Sequence, residues 1–111
     1  MAPPASRIDV HHHVMPDFYI EAQRGAGITG SAYRDFPNWS PETSVSVMDA
    51  NRVGMAIMSF SSPGIFFGDL EQTRDLARRC NDFLAELAAG QPNRFGGFAT
   101  LPLPDIDASL V

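Results

Sequence analysis

Two hydrophobic periods divide the chain into alternating short and long elements. After a proline-rich start, RIDVHH has the short β-like pattern of a first strand. PDFYIEAQRGAG follows as a helix, with Pro16 suited to its first turn and glycines to its end. From Ile28 to Trp39 the residues ITGSAYRDFPNW fit neither period and read as a loop. Ser40–Pro41 reads as an N-cap with proline at the first helical position, leading into ETSVSVMDANRVG with Gly54 as the stop. Met55 to Phe60, MAIMSF, is a continuous apolar run of strand length, as expected for a strand buried on both faces. SSPGIFFG is a loop.

The clearest helix spans Asp69–Ala89. Asp69 and Gln72 have the spacing of a capping box, and Leu76, Ala77, Cys80, Phe83, Leu84 and Leu87 form one apolar stripe. Gly90 and Pro92 end it. RFGGFATLPL predicts a third strand over Phe95–Thr100, and Asp105 caps a further helix that is cut off at Val111. Cys80 lies on the buried stripe and reads as core packing rather than as a nucleophile.

Strands alternating with helices predict an α/β fold, with three parallel strands joined by crossover helices and Asp69–Ala89 packed across them. Three such strands leave open edges and a sheet face that few helices can cover. An open doubly wound domain uses about five or six strands and a closed barrel about 250 residues. Residues 1–111 are therefore expected to form one partial domain, the N-terminal part of a longer fold, truncated or dependent on another chain.

Charge narrows the partners. Thirteen acidic residues stand against eight basic ones, all arginine, for a formal charge of −5. This balance argues against nucleic acid or an anionic membrane as the main partner. No apolar run approaches the ~20 residues of a membrane helix. A single cysteine, Cys80, excludes an intramolecular disulfide and suggests a reducing, cytoplasmic setting.

The chemistry-bearing stretch is Asp9-Val10-His11-His12-His13, which holds all three histidines of the chain. Strand alternation places Asp9, His11 and His13 on one face and Val10 and His12 on the other. Two imidazoles two residues apart on a strand can converge on one metal ion. His12 is then turned away, and replacing it should spare most of the metal binding. A purification-tag remnant and a purely structural strand end are the competing readings. Among the loops, Trp39, Phe66 and Phe67 could stack on an aromatic substrate or pack as a lid. Ser61 and Ser62 could bond a substrate carboxylate or simply make a turn. Arg24 and Arg34 could pair with a carboxylate or remain solvated.

The segments IDVHHHVMPDFY, MDANRVGMAIMSFSSPG, ARRCNDFLAEL and RFGGFATLPLPDIDASL together resemble the metal-dependent amidohydrolase superfamily. The likeness is closest to its aminocarboxymuconate-semialdehyde decarboxylase branch, which includes the hydroxybenzoate and 6-methylsalicylate decarboxylases. The resemblance implies a (β/α)8 TIM barrel, of which this chain is the N-terminal part, with a divalent metal, usually zinc, at the C-terminal strand ends. It implies His11 and His13 as two ligands and Asp9 as the acid behind them. The remaining ligands and the acid/base group are expected beyond Val111, because no histidine follows His13. The implied activity is non-oxidative decarboxylation of a small aromatic or unsaturated carboxylic acid by a full-length, homodimeric form. Metal-dependent hydrolysis of a lactone, ester or amide is the alternative, and a truncated non-catalytic fragment is the reading from another class.

Overall fold

The structure is a computed structural model and describes residues 7–31 and 34–111. In chain order its elements are β1 (Arg7–His13), α1 (Asp17–Gly25), β2 (Gly30–Ser31), β3 (Arg34–Asp35), α2 (Pro41–Ala50), β4 (Val53–Ser59), α3 (Leu70–Gly90), β5 (Phe95–Gly97) and α4 (Ile106–Ser109). Strands β1, β4 and β5 form one parallel sheet with β4 in the centre, as the alternation of periods leads one to expect.

Local chemistry explains where the elements stop and start. Ser40 caps α2 by accepting the Thr43 N–H at 3.2 Å, and Pro41 takes the first helical position. The helix ends at Ala50, before the glycine expected to stop it. Asn51 closes the last turn by donating its side-chain amide to the Val47 carbonyl at 2.8 Å, and Arg52 turns the chain at φ 58°. Gly54 therefore lies inside β4, which starts two residues earlier than its apolar run. At the other end of the sheet, β5 stops at Gly97 rather than continuing to Thr100. Both backbone groups of Thr100 are taken by the Asn81 side chain, at 2.7 and 2.9 Å, so that segment bonds α3 in place of a strand. The loop expected over Ile28–Trp39 contains the short antiparallel pair β2–β3.

Helix α3 follows its predicted stripe. Asp69 caps it through the Gln72 N–H at 2.7 Å, and Leu76, Ala77, Cys80 and Leu84 are buried. Phe83 and Leu87 pack at the edge of the core. One buried cluster joins Val14, Met48, Ala56, Met58, Leu84 and Phe95 between the sheet and helices α2 and α3. A second gathers Tyr19, Ile65, Leu76, Ala77 and Cys80, and Phe60 packs against both. Gly97 permits the close approach of β5 to α3, since a Cβ there would sit 3.2 Å from that of Leu84. Burial pushes the Cys80 thiol up to about 12, in keeping with core packing. Asp105 caps α4 through the Ala108 N–H and pairs with Arg74, fastening α4 to α3.

The sheet is covered on one face only. On β4, Ala56 and Met58 are fully buried beneath the helices, whereas Met55, Ile57 and Ser59 are half-buried. Burial on both faces, which the MAIMSF run suggested, is not seen. The uncovered side leaves Ile8 63%, Val10 64% and Phe98 53% exposed. Contiguous apolar exposure of this kind marks a surface built to be covered.

Tyr19 ties α1 to the SSPG turn. Its fully buried ring meets Phe60 edge-on at 5.1 Å, and its hydroxyl donates to the Gly64 carbonyl at 2.7 Å. Burial, then the nearby Cys80, raises its ionisation to about 12. Because the folded value lies above the unfolded one, its contribution is fully present below pH ~10 and lost as pH climbs through about 12. Replacing Tyr19 by Phe should cost about 1 kcal/mol at neutral pH by removing this hydrogen bond. In urea unfolding between pH 8 and 12, the variant should also lack the Tyr19 share of the alkaline loss. An unchanged midpoint and an unchanged pH profile would contradict this role.

Candidate metal centre

The register of β1 against β4 positions the histidines. Asp9 pairs with Ala56 and His12 with Met58, so β1 advances three residues while β4 advances two. The extra residue is a β-bulge, which reverses the inside–outside parity of everything after it. Asp9 and His12 thus both lie opposite the buried residues Ala56 and Met58, on the helix side. Ile8 pairs with Met55 and His13 with Ser59, on the uncovered side. This corrects simple alternation, which grouped Asp9 with His11 and His13 and placed Val10 with His12. Val10 is largely exposed, while the His12 side chain is only 13% exposed.

His11 and His13 come together at the C-terminal end of β1. Their rings lie 4.8 Å apart, centroid to centroid, inclined at 53°, and both residues are exposed. Partial desolvation at the strand end lowers the His13 ionisation below its ordinary value, and the neighbouring His11 and His12 lower it further. A neutral imidazole is the form that ligates a metal. Among the described residues, no group of three or more histidine, cysteine or carboxylate side chains could hold a metal ion.

Behind the pair runs a chain of hydrogen bonds. Asp9 accepts the His11 backbone N–H on one carboxylate oxygen at 3.0 Å and meets His12 Nδ1 on the other at 3.0 Å. His12 Nε2 lies 2.9 Å from Ser44 Oγ, which accepts the Trp39 indole N–H at 2.9 Å. These contacts to His11 and His12 hold the Asp9 carboxyl below the usual carboxylate range. Asp9 thus reaches the histidine pair only through the His11 main chain and the His12 ring. Sequence reasoning missed Ser44. It is one of two serines in α2, and no local pattern shows that it meets His12, 32 residues earlier.

The remaining candidates are scattered. A concavity of about 270 Å³ beside the triplet is lined by His11, His12, His13, Trp39, Thr43, Ser44 and Val47. Of the loop aromatics only Trp39 lines it, with its indole N–H already bonded and its ring 6.0 Å from Phe83. Ser61 contributes its carbonyl to the Gly64 N–H in the turn, and Ser62 is exposed. Phe67 packs against the Tyr19 cluster, and Phe66 remains 44% exposed. Arg24 lies over the Phe36 ring at 5.7 Å, while the Arg34 side chain falls outside the described residues.

No protein-family model matches the chain. A decarboxylase from Aspergillus niger is 42% identical over 98 residues, covering 86% of this chain and 26% of that protein. The solved structure of an amidohydrolase II superposes with a TM-score of 0.89 at 32% identity, covering 95% of this chain and 34% of the other. A dihydroxybenzoic acid decarboxylase from Polaromonas, with bound manganese and the inhibitor 2-nitroresorcinol, superposes with a TM-score of 0.72 at 27% identity, over 93% and 32%. The chain thus spans about a quarter to a third of the length of the proteins it matches.

The imidazole environment can be checked directly. In a pH titration followed by NMR, His13 should protonate below the ordinary histidine value of 6.5. His11→Ala should move it part of the way back up, because desolvation is the larger cause and survives the substitution. A His13 that titrates normally in both forms would contradict the geometry.

Proposed function

We propose that the chain belongs with the decarboxylases of the amidohydrolase superfamily that it matches, and that it supplies two ligands of the divalent-metal site of a non-oxidative carboxy-lyase. The observation that carries this reading is the His11–His13 pair, 4.8 Å apart at a strand's C-terminal end. Catalytic groups of parallel barrels sit at that end of the strands. The two imidazoles fit a metal as neutral nitrogen donors, and catalytic metal sites of this kind normally take three protein ligands. The third donor and the proton-transfer group are assigned to the rest of the barrel, so the 111-residue chain by itself should turn over nothing.

The bound metal would act as a Lewis acid on an oxygen of the substrate and fix its orientation. The chain's own contribution is positional. His11 and His13 set the direction from which the ion is held, and Asp9 and His12 brace the strand behind them. Ile8, Val10 and Phe98 give the uncovered face its apolar surface, which the remaining strands would close against water. The substrate class is an aromatic carboxylic acid of the dihydroxybenzoate type, the substrate named for the Polaromonas protein. Zinc is the metal the family resemblance implies, and the manganese of that relative makes Mn²⁺ the first ion to test. The assembled enzyme is assigned to the cytoplasm, in keeping with the lone buried Cys80, and to a homodimer by resemblance.

Calorimetric titration of the chain with Mn²⁺ should show weak binding that His11→Ala and His13→Ala each abolish. A chimera carrying this chain in place of the matching segment of the Polaromonas decarboxylase should release carbon dioxide from a dihydroxybenzoate. Each substitution should reduce that rate at least a hundredfold, as expected when a metal ligand is lost. Metal binding indifferent to both histidines would overturn the site, and activity confined to lactones or esters would move the reading to hydrolysis.

A further inference from the structure

Hydrogen-bond capacity gives the Trp39–Ser44–His12–Asp9 chain a direction. The Trp39 indole can only donate, so Ser44 Oγ accepts from it. The serine hydrogen is then free for His12 Nε2, which accepts it at 2.9 Å. That leaves the His12 proton on Nδ1, from which it is donated to Asp9 at 3.0 Å. The other Asp9 oxygen takes the His11 backbone N–H. Ser44 is 3% exposed, so a hydroxyl without a partner there would carry a full desolvation cost.

We propose that this relay makes His12 a positioning residue: its locked Nδ1–H tautomer holds Asp9 against the bulge, and the bulge presents His11 beside His13. The proposal rests on the metal-site reading for its function, though not for its geometry. It also revises the expectation, drawn from alternation alone, that His12 is dispensable. Carboxylate, imidazole and hydroxyl stand in the order of an acyl-transfer triad, but Ser44 is buried and its oxygen is already occupied by Trp39, so it is not presented to an acyl donor as a nucleophile. What the order achieves is orientation. Groups bonded behind metal-binding histidines set ring direction, and their loss typically costs about 10–100-fold in metal affinity. Here the brace acts one step further back, through the main chain of His11.

Two readouts on the full chain test this. Nitrogen-15 NMR on the unmodified protein without metal should show His12 in the Nδ1–H tautomer; an Nε2–H tautomer, or rapid averaging of both, would overturn the relay. Trp39→Phe, which keeps a ring and removes the donor, should let the second tautomer appear; an unmixed Nδ1–H signal in that variant would contradict the direction assigned here. Mn²⁺ alone, followed by paramagnetic broadening of the His11 and His13 ring signals, should bind about tenfold more weakly to Ser44→Ala, by the same scale of loss. Unchanged affinity in a Ser44→Ala chain with native circular dichroism would overturn the positioning role. Should that variant not fold, Trp39→Phe serves in its place with the same expected direction. If His11→Ala and His13→Ala also leave Mn²⁺ binding unchanged, the metal reading fails, and the tautomer result still judges the relay.

Discussion

The extra residue that β1 carries between Asp9 and His12 is the constraint on which the site depends. Side chains on a regular strand alternate strictly, and a strand that buried Asp9 on the helix side would also bury His11 and His13 there. Inserting one residue reverses the parity, so the same short strand sends Asp9 and His12 toward the helices and His13 to the open side, with the His11 ring beside it. The bulge has a cost, because it removes a backbone group from the ladder. Asp9 meets that cost by accepting the His11 N–H, a bond from a side chain to the backbone two residues on.

The two faces of the sheet have different tasks. Beneath the helices, Ala56, Met58, Phe95, Met48 and Leu84 make a packed layer in which small residues set the spacing. Gly97 lets Leu84 close on β5, while Gly96 faces Ile57 on the open side, where an added Cβ would come within 2.9 Å of the Ile57 side chain. The open face carries exposed Ile8, Val10 and Phe98, with the histidine pair at its C-terminal rim. A sheet finished on one face and apolar on the other is one sector of a closed layer. The agreement in fold with a longer amidohydrolase, of which this chain covers 34%, has the same meaning.

Much of this organisation is legible in the chain because it depends on local signals. The proline after Ser40, the Asp69 cap and the six-residue stripe of α3 are periodicity and capping, and the structure follows them. Elements set by distant partners are not legible in this way. The end of β5 depends on Asn81, from the middle of α3, and the end of α2 on an Asn51 side chain that displaces the expected glycine stop. At the site, the pairing of His11 with His13 is legible in their two-residue spacing. The orientation of Asp9 is not, because the bulge separates it from them. Ser44 and Trp39 join the histidines only through tertiary packing, which no sequence period encodes.

The central claim is that His11 and His13, and not His12, face one ion from the open side of the sheet. Electron spin-echo modulation of Mn²⁺ bound to the chain counts directly coordinated nitrogens, and nitrogen-15 labelling of histidine identifies them. The account predicts couplings from two histidine nitrogens, none in His11→Ala or in His13→Ala, where the ion is no longer held, and still two in a His12 variant. No histidine coupling, or a coupling that disappears only when His12 is replaced, would contradict it.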